Sequence, residues 1–283
     1  MSAQDRYIPG VPCWIDTSQP DPAAAAAFYG ALFGWDLEDA MPPDSGASYY
    51  MARLRGESVA AISSQQQPGP PTWNTYVWVA DAGETTAKVR EAGGSVLAEP
   101  FDVFDAGRMA VFADPAGAVF SVWQAGRHRG AGIVNEPGSL NFNDLETPDV
   151  AGAAAFYGAV FGWDLLDVGG GHAWALPGYG DFLESRNPGM REGMAQMGAP
   201  ERFEDVVASV REASDGEARW GVTFAVDDAD ATAARATELG GRVLAGPFDG
   251  PWVRLAVIAD PAGATFTASK FVPENKDVAP PDA

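Results

Sequence analysis

Two aspartates occupy equivalent places in this chain and could do acid–base chemistry. Asp16 lies shortly before Asp21, and Asp144 lies at the same spacing before Asp149 in a second, similar stretch. A carboxylate in an apolar hollow has a raised pKa and can act as a general acid or base. An aspartate in such a place can also simply hold a neighbouring loop by hydrogen bonds. The sequence leaves both interpretations open.

Two arginines are equivalent in the same way. Arg108 and Arg254 each open a strand-like stretch that leads into Asp-Pro-Ala-Gly. Either guanidinium could neutralise an acidic group of a bound molecule. Pairing with a local carboxylate, such as Asp102 or Asp249, is the commoner role of an arginine in this position. Arg108 is therefore a candidate ligand contact, with the local ion pair as the alternative.

The surroundings of these residues show that one domain is present twice. FYGALFGWDL at 28–37 returns as FYGAVFGWDL at 156–165, and ADPAGAVF at 113–120 returns as ADPAGATF at 259–266. Collinear matches of this density indicate duplication. We predict a first domain at residues 8–125 and a second at residues 137–272. Residues 126–136 form the linker between them, and residues 273–283 form a tail.

Each copy has the pattern of a strand, a helix and three strands, repeated once. Asp21 suits a helix N-cap, Pro22 the first helical position, and Gly34 the end of that helix. The order restarts after the proline-rich break at 67–71. The pattern predicts an α+β chain of four βαβββ modules.

The copies differ most between residues 169 and 219, where the second copy is longer. Phe203, Val206, Val207 and Val210 recur there at helical spacing, which predicts an amphipathic helix. Such a helix could shield the binding hollow of one copy or cover the seam between the two domains. The alternative is a flexible lid over the hollow of the second copy.

The composition excludes several classes of partner. Lys and Arg number 18 against 39 Asp and Glu, and the net charge is −21. Nucleic acid and anionic membrane surfaces are therefore disfavoured. The one cysteine, Cys13, cannot form an intramolecular disulfide, and neither a signal segment nor an apolar run of membrane length is apparent. We expect a cytoplasmic protein, either a monomer with an internal pseudo-dimer or a homodimer.

The repeated motifs AAFYGxxFGW and ADPxGAxF, with a Gly-Gly pair between them, resemble the vicinal oxygen chelate superfamily. That superfamily includes glyoxalase I, the bleomycin-resistance proteins and the extradiol dioxygenases. The tandem arrangement is similar to a glyoxalase-like subfamily described as hydroxylases or as a mycobacterial 27 kDa antigen. The resemblance covers about residues 8–272 and implies that paired βαβββ modules form a curved-sheet cup for a small molecule. It does not define a reaction.

The resemblance also implies a divalent metal held in the cup by His, Gln or Glu. Counted from local landmarks, the countable positions fall on poor ligands in both copies: Trp14, Asn74, Ser121, Phe142, Gly221 and Thr267. His128, expected to be solvated in the linker, and His172, in a glycine-rich turn, match none of them. We therefore expect no metal and no other cofactor.

The same positions mark which side of each strand faces the cup, because alternate residues of a strand point to opposite faces. In the first copy that side carries four aromatic and three polar residues: Trp14, Asp16, Asn74, Tyr76, Trp78, Ser121 and Trp123. In the second it carries smaller ones: Phe142, Asp144, Gly221, Thr223, Ala225, Thr267 and Ser269. An aromatic hollow with a few polar groups suits a planar ligand, although the same aromatics could simply fill a core.

We interpret the chain as a metal-independent small-molecule-binding protein, with Asp16 and Asp144 as candidate catalytic residues. The predicted ligand contacts are Trp14, Asn74, Tyr76, Trp78, Arg108, Ser121, Trp123, Phe142, Thr223 and Thr267. An isomerase, cyclase, lyase or hydroxylase-like enzyme acting on an aromatic or quinone-like metabolite fits these residues. The alternative is a drug-sequestering protein like those that confer bleomycin resistance, and a metal-dependent glyoxalase or dioxygenase is the third possibility.

Overall fold

A computed structural model describes residues 6–66, 68–169 and 171–279. The first copy contains eight strands and two helices: β1 (Pro12–Gln19), α1 (Pro22–Phe33), β2 (Asp36–Asp39), β3 (Tyr49–Leu54), β4 (Glu57–Ser64), β5 (Thr72–Trp78), α2 (Ala82–Glu91), β6 (Ser95–Val103), β7 (Gly107–Ala113) and β8 (Val119–Ala125). The predicted order of elements is thus confirmed in this copy.

The second copy repeats that order with an insertion. It contains β9 (Leu140–Thr147), α3 (Val150–Phe161), β10 (Asp164–Asp167), β11 (His172–Ala175), α4 (Tyr179–Arg186), α5 (Met190–Met197), β12 (Val206–Glu212), β13 (Arg219–Ala225), α6 (Ala229–Glu238), β14 (Arg242–Gly250), β15 (Val253–Ala259) and β16 (Thr265–Phe271). None of the helices in the described ranges is long and apolar enough to cross a membrane.

The first helix of each copy is bounded as the sequence predicts. Asp21 caps α1 by accepting from the backbone N–H of Ala24, and Gly34 ends it in the left-handed region at φ 70°. Asp149 and Gly162 do the same for α3. Glycine has no Cβ to clash in that conformation, so the chain turns sharply into the next strand.

The strands form two eight-stranded sheets, one from each copy. The order is β2-β3-β4-β1-β5-β8-β7-β6 in the first and β10-β11-β12-β9-β13-β16-β15-β14 in the second. Each sheet ends in two free edges, so neither is a closed barrel. Within each sheet the pair β1–β4, or β9–β12, is parallel. The fold is therefore the predicted α+β tandem of βαβββ modules.

The chain divides into two compact units that each combine parts of both copies. Of the described residues, unit 1 contains those within 6–13, 76–129 and 143–220, and unit 2 those within 14–75, 130–142 and 221–279. The core of unit 2 joins Ile15 and Tyr29 from the first copy with Phe224 and Phe266 from the second. The domain boundaries predicted above concern the sequence repeat and remain a prediction.

The helix predicted around Phe203 to Val210 is wrong. Val206–Glu212 is the strand β12, which pairs in parallel with β9 and places Ser209 opposite Asp144. Three β-branched valines lose side-chain freedom in a helix and pack well in a sheet, so the strand wins over the helical spacing. The inserted residues form α4 and α5 instead.

Candidate functional site

Three neighbouring strands of the first sheet bring polar side chains together around Asp16. Asp16 on β1 lies opposite Ala61 on β4, and Ala61 lies opposite Met51 on β3. Tyr49 precedes Met51 by two residues, so its side chain lies on the same face of β3 as that of Met51. Asn74 lies on β5, on the other side of β1.

The Asp16 carboxylate accepts a hydrogen bond at each oxygen. Asn74 Nδ2 donates to Oδ1 at 2.7 Å, and the Tyr49 hydroxyl donates to Oδ2 at 3.3 Å. Trp14 Nε1 in turn donates to the Tyr49 hydroxyl at 3.1 Å, and Asn74 Nδ2 also reaches Ser18 Oγ at 3.3 Å. We call these five residues, all in unit 2, the Asp16 cluster.

The five residues of the cluster differ in their exposure to solvent. Asp16 is 4% exposed and Trp14 is 2% exposed, whereas Tyr49, Ser18 and Asn74 are half-buried. Burial raises the pKa of Tyr49 well above its usual value, and the nearby Asp16 charge raises it further. Tyr49 is therefore a neutral hydroxyl at physiological pH, able both to donate and to accept a hydrogen bond.

The opposite face of β1 belongs to the packed interior of unit 2. Ile15 is fully buried in the hydrophobic core. Thr17 Oγ1 donates to the carbonyl of Thr72 at 3.0 Å, and Gln19 Nε2 donates to Asp260 Oδ2 at 2.7 Å. Alternation along β1 thus separates the Asp16 cluster from the core, as the sequence pattern predicts.

The register of the second sheet identifies the counterpart of each cluster residue. Asp144 lies opposite Ser209, and Ser209 lies opposite Ala173. Ser209 therefore corresponds to Ala61, Ala173 to Met51, and Gly171 to Tyr49.

A second pair of strands gives the counterpart of Asn74. Tyr76 lies opposite Ser121 in the first sheet, and Thr223 lies opposite Thr267 in the second. Because Thr223 thus corresponds to Tyr76, Gly221 corresponds to Asn74. The second copy keeps the aspartate and lacks both of the side chains that hold its carboxylate in the first copy.

The carboxylate of Asp144 has different surroundings. Ser209 Oγ donates to Asp144 Oδ1 at 2.5 Å. The positions that correspond to Ser18 and Ser63 hold Glu146 and Arg211, which form an ion pair. A fixed pair of opposite charges thus replaces the two serines.

The comparisons with known proteins agree with this architecture. A family model described as "Glyoxalase/Bleomycin resistance protein/Dioxygenase superfamily" matches residues 14–122, and one described as "Glyoxalase-like domain" matches residues 142–269. "Putative glyoxylase CFP32" of Mycobacterium tuberculosis is 40% identical over 282 residues, covering 97% of this chain and 100% of the relative. The chain belongs to the glyoxalase/bleomycin resistance protein/dioxygenase superfamily.

The chain is also similar to a second curated relative and to a solved structure. "Anthracycline biosynthesis protein DnrV" of Streptomyces peucetius is 38% identical over 277 residues, covering 93% of this chain and 94% of the relative. The solved Mn(II)-bound glyoxalase from Novosphingobium aromaticivorans has a TM-score of 0.61 at 15% identity and covers 93% of this chain and 82% of its own. At that identity the likeness shows the fold alone.

The donor set of the Asp16 cluster does not fit the divalent metal of the superfamily. Trp14 and Asn74 stand at two of the ligand positions, and both direct N–H donors at neighbouring oxygens. An N–H group directed at an acceptor has no lone pair to give to a cation. Within residues 6–66, 68–169 and 171–279, no three His, Cys, Asp or Glu side chains are placed to hold a metal ion.

Four of the predicted ligand contacts lie in unit 1. Tyr76 and Ser121 are register partners on β5 and β8, as are Trp78 and Trp123. The Trp78 ring stacks on Tyr7 at 5.8 Å between centroids. The parallel register places each pair on one face of the sheet, as the sequence analysis expects, and their contact with a ligand remains a prediction.

The other predicted contacts have the following places. Arg108 forms an ion pair with Asp102 at 2.8 Å, the local alternative considered above, and also lines an open cavity of about 260 Å³ in unit 1. Thr223 and Thr267 are register partners in unit 2, and Phe142 is half-buried on β9.

The expectation that His128 is solvated is wrong. Its ring packs edge-on against Trp123 at 5.6 Å, and its carbonyl accepts from Trp123 Nε1 at 2.9 Å. Burial lowers the pKa of His128 to about 4. The linker loop folds back onto β8, which the glycine- and arginine-rich sequence around His128 does not reveal.

Sequence reasoning missed two of the five cluster residues, Ser18 on β1 and Tyr49 on β3. The position of Tyr49 follows from the register of β3 against β4, and the counting of family positions never reaches β3. Its correspondence with Gly171 is hidden because the loop between β10 and β11 is shorter than the loop between β2 and β3. A comparison of the two copies strand by strand, anchored on the FGWDL segments before β3 and β11, would have found it.

Proposed function

We propose that this protein is a metal-independent enzyme of small-molecule metabolism that uses Asp16 in proton transfer to or from an aromatic or quinone-like substrate. The observation that carries the proposal is the Asp16 carboxylate, 4% exposed and held at Oδ1 by Asn74 and at Oδ2 by Tyr49. A buried carboxylate with directed hydrogen bonds is oriented before a ligand arrives.

A purely structural role accounts poorly for this arrangement. The second copy folds into the same strand order with glycine in place of both Tyr49 and Asn74. Neither side chain is therefore required by the module itself. Burying polar groups costs free energy unless they are paired, so their presence in one copy alone favours a function there.

The chemistry of the site favours a planar, oxygen-bearing substrate. Within unit 2, the aromatic ring of Tyr49 is half-buried and its hydroxyl lies against the Asp16 carboxylate, with the Trp14 indole behind it. The relative DnrV, 38% identical, is named for anthracycline biosynthesis, and the anthracycline nucleus is a planar aromatic quinone. Aromatic side chains stack well on such rings.

The residues present support a simple proton transfer. Asp16 as the base would take up, directly or through a neighbouring hydroxyl, a proton from a substrate carbon or hydroxyl activated by a carbonyl, and as the acid would return it at a second position. Asn74 would keep Oδ1 as an acceptor and fix the carboxylate plane. Isomerisation, cyclisation and elimination are the reaction classes that need only such transfers.

The test begins with the ligand. Native mass spectrometry of the protein purified from its own host identifies a co-purifying compound, and turnover is then measured with that compound. We expect Asp16→Asn to bind it with a Kd within about threefold of the wild type and to lose conversion. Binding without any conversion by the wild type would instead identify a sequestering protein.

A further inference from the structure

We infer that Tyr49, and not Asp16, is the group that exchanges a proton directly with the bound ligand, with Asp16 acting behind it. This inference rests on the proposed acid–base function. Asp16 is 4% exposed, and its oxygens meet Asn74 at 2.7 Å and Tyr49 at 3.3 Å. Tyr49 is half-buried, so of the two hydrogen-bonded groups it is the more accessible to a ligand.

Asn74 and Tyr49, which both contact the carboxylate, differ in whether they can pass a proton to a ligand. The amide of Asn74 donates an N–H that it does not release, so it can orient Asp16 but cannot pass a proton. The Tyr49 hydroxyl can accept a hydrogen bond with a lone pair while it donates its own hydrogen. Of these two contacts, only the one through Tyr49 can connect Asp16 to a reacting atom.

Trp14 limits the directions that the Tyr49 hydrogen can take. The indole N–H only donates, so the 3.1 Å bond from Trp14 Nε1 occupies one lone pair of the Tyr49 oxygen. The hydroxyl hydrogen cannot point toward Trp14 and is directed to Asp16 Oδ2 when that carboxylate is ionised. One further lone pair of the Tyr49 oxygen is left.

Protonation of Asp16 then reverses the direction of the hydrogen bond between Tyr49 and Asp16 Oδ2. A hydrogen on Oδ2 is donated to the remaining lone pair of Tyr49, and the Tyr49 hydrogen turns to a third acceptor, the oxygen of a bound carbonyl or phenolate. In the transfer, the Oδ2 hydrogen moves to Tyr49 as the Tyr49 hydrogen moves to the ligand oxygen. Asp16 ends ionised, the ligand gains one proton, and Tyr49 is unchanged; base catalysis runs in reverse.

The second copy lacks this arrangement. Gly171 stands where Tyr49 does, and Phe142, which has no N–H to donate, stands where Trp14 does. Ser209 lies on the neighbouring strand β12, at the position that corresponds to Ala61, and its Oγ donates a hydrogen bond to Asp144 at 2.5 Å. The clamped tyrosine therefore belongs to the first copy alone.

The first test needs no ligand. In protein labelled with 5-fluorotryptophan, the ¹⁹F resonance of Trp14 is assigned with Trp14→Phe, the residue found at position 142, and followed with pH. The ionisation of Asp16 is followed separately by ¹³C NMR of its carboxyl carbon. We expect the Trp14 resonance to titrate with the Asp16 midpoint, and this titration to shrink at least threefold in Tyr49→Phe. Tyr50→Phe, on the same strand and packed against the core, is the matched control and should titrate as the wild type.

The second test uses 2,6-dihydroxyanthraquinone as the probe, because its carbonyls carry no internal hydrogen bond. At a pH below the Asp16 midpoint, where the Tyr49 hydrogen points to the ligand, a hydrogen bond from Tyr49 lowers the carbonyl stretching frequency of the bound probe in infrared difference spectra. We expect that shift in the wild type and in Tyr50→Phe, and its loss in Tyr49→Phe.

The outcomes separate this inference from the proposed function. Asp16 titrating while the Trp14 resonance stays constant, or titrates unchanged in Tyr49→Phe, overturns the role of Tyr49 and leaves the acid–base proposal standing. Asp16 that does not titrate between pH 3 and pH 10 overturns both. A probe that fails to bind the wild type contradicts the proposed ligand class, and the NMR titration then decides the role of Tyr49.

Discussion

The hydroxyl of Tyr29 donates a hydrogen bond of 3.0 Å to Oδ2 of Asp260, and so joins the FYG motif of the first copy to the DPAG motif of the second. In unit 1, Tyr157 and Asp114 make the corresponding bond at 3.0 Å. The most recognisable motifs of the repeat thus hold the interior of each compact unit together, and the candidate chemistry lies elsewhere, at Asp16.

Removing the Tyr29 hydroxyl should destabilise the protein. Tyr29→Phe deprives buried Trp73 Nε1 of its acceptor at 3.1 Å and removes one donor to Asp260. A buried polar group left unpaired costs about 1–3 kcal/mol. Urea unfolding measures the loss, with Tyr50→Phe as the control for removing a tyrosine hydroxyl from the same module. Equal stability of the two variants would contradict the structural role given to Tyr29.

Stability should fall in mild acid because of His128. Its pKa is about 4 in the folded protein against the usual 6.5, so between these values the unfolded state binds the extra proton. This contribution is complete above pH 6.5 and is lost as the pH falls toward 4, by about 3 kcal/mol.

Substitution isolates that contribution. His128→Gln should show a smaller loss of unfolding free energy between pH 7 and pH 4.5 than the wild type, measured by urea titration at each pH. His172→Gln, which removes the exposed histidine, is the control and should follow the wild type. If the unfolding free energy of His128→Gln fell with pH as steeply as that of the wild type, the His128 ring would be hydrated in the folded protein.

Arg108 distinguishes a local ion pair from a ligand contact. Arg108 forms an ion pair with Asp102, and their side chains are 40% and 70% exposed respectively. Such exposed pairs contribute about 0–1 kcal/mol to the free energy of unfolding. Arg108→Gln should therefore leave thermal unfolding nearly unchanged. If Arg108 contacts an acidic ligand, the same variant weakens binding of the co-purified compound by about tenfold, as isothermal titration calorimetry would show, while Arg254→Gln does not.

The metal content of the protein tests the donor-set argument. We expect less than 0.1 equivalent of zinc, nickel, manganese or iron by elemental mass spectrometry, and turnover unchanged by a chelator. A metal–protein ratio near one, together with activity that is lost to the chelator and restored by metal, would instead identify a metal-dependent glyoxalase or dioxygenase.

Much of the fold could be predicted because local signals agree with the global pattern. Asp21, Pro22 and Gly34 fix the ends of α1 through capping and backbone conformation, which depend on few neighbours. The strand β12 could not be predicted in the same way, because the spacing of its valines satisfies a helix and only pairing with β9 decides.

The residues of the candidate site also differ in whether local sequence signals or strand pairing determine their positions. Asp16 and Asn74 could be found by counting along one strand at a time, and their 2.7 Å contact follows from adjacent strands. Tyr49 reaches Asp16 from β3, two strands away in the sheet order, and only the register of β3, β4 and β1 places it there. Each compact unit combines segments of both copies, and this too is decided by tertiary packing that no single motif encodes.

The comparison of Asp16→Asn with Asp144→Asn tests the central claim most directly. Both changes remove one ionisable carboxylate from equivalent positions, and only the first removes it from the Tyr49–Asn74 setting. With the co-purified compound as substrate, we expect kcat to fall by about 10²–10⁴-fold in Asp16→Asn and by less than threefold in Asp144→Asn, with unchanged Kd in both. Full turnover by Asp16→Asn, or an equal loss in both variants, would contradict a single working site built on Asp16.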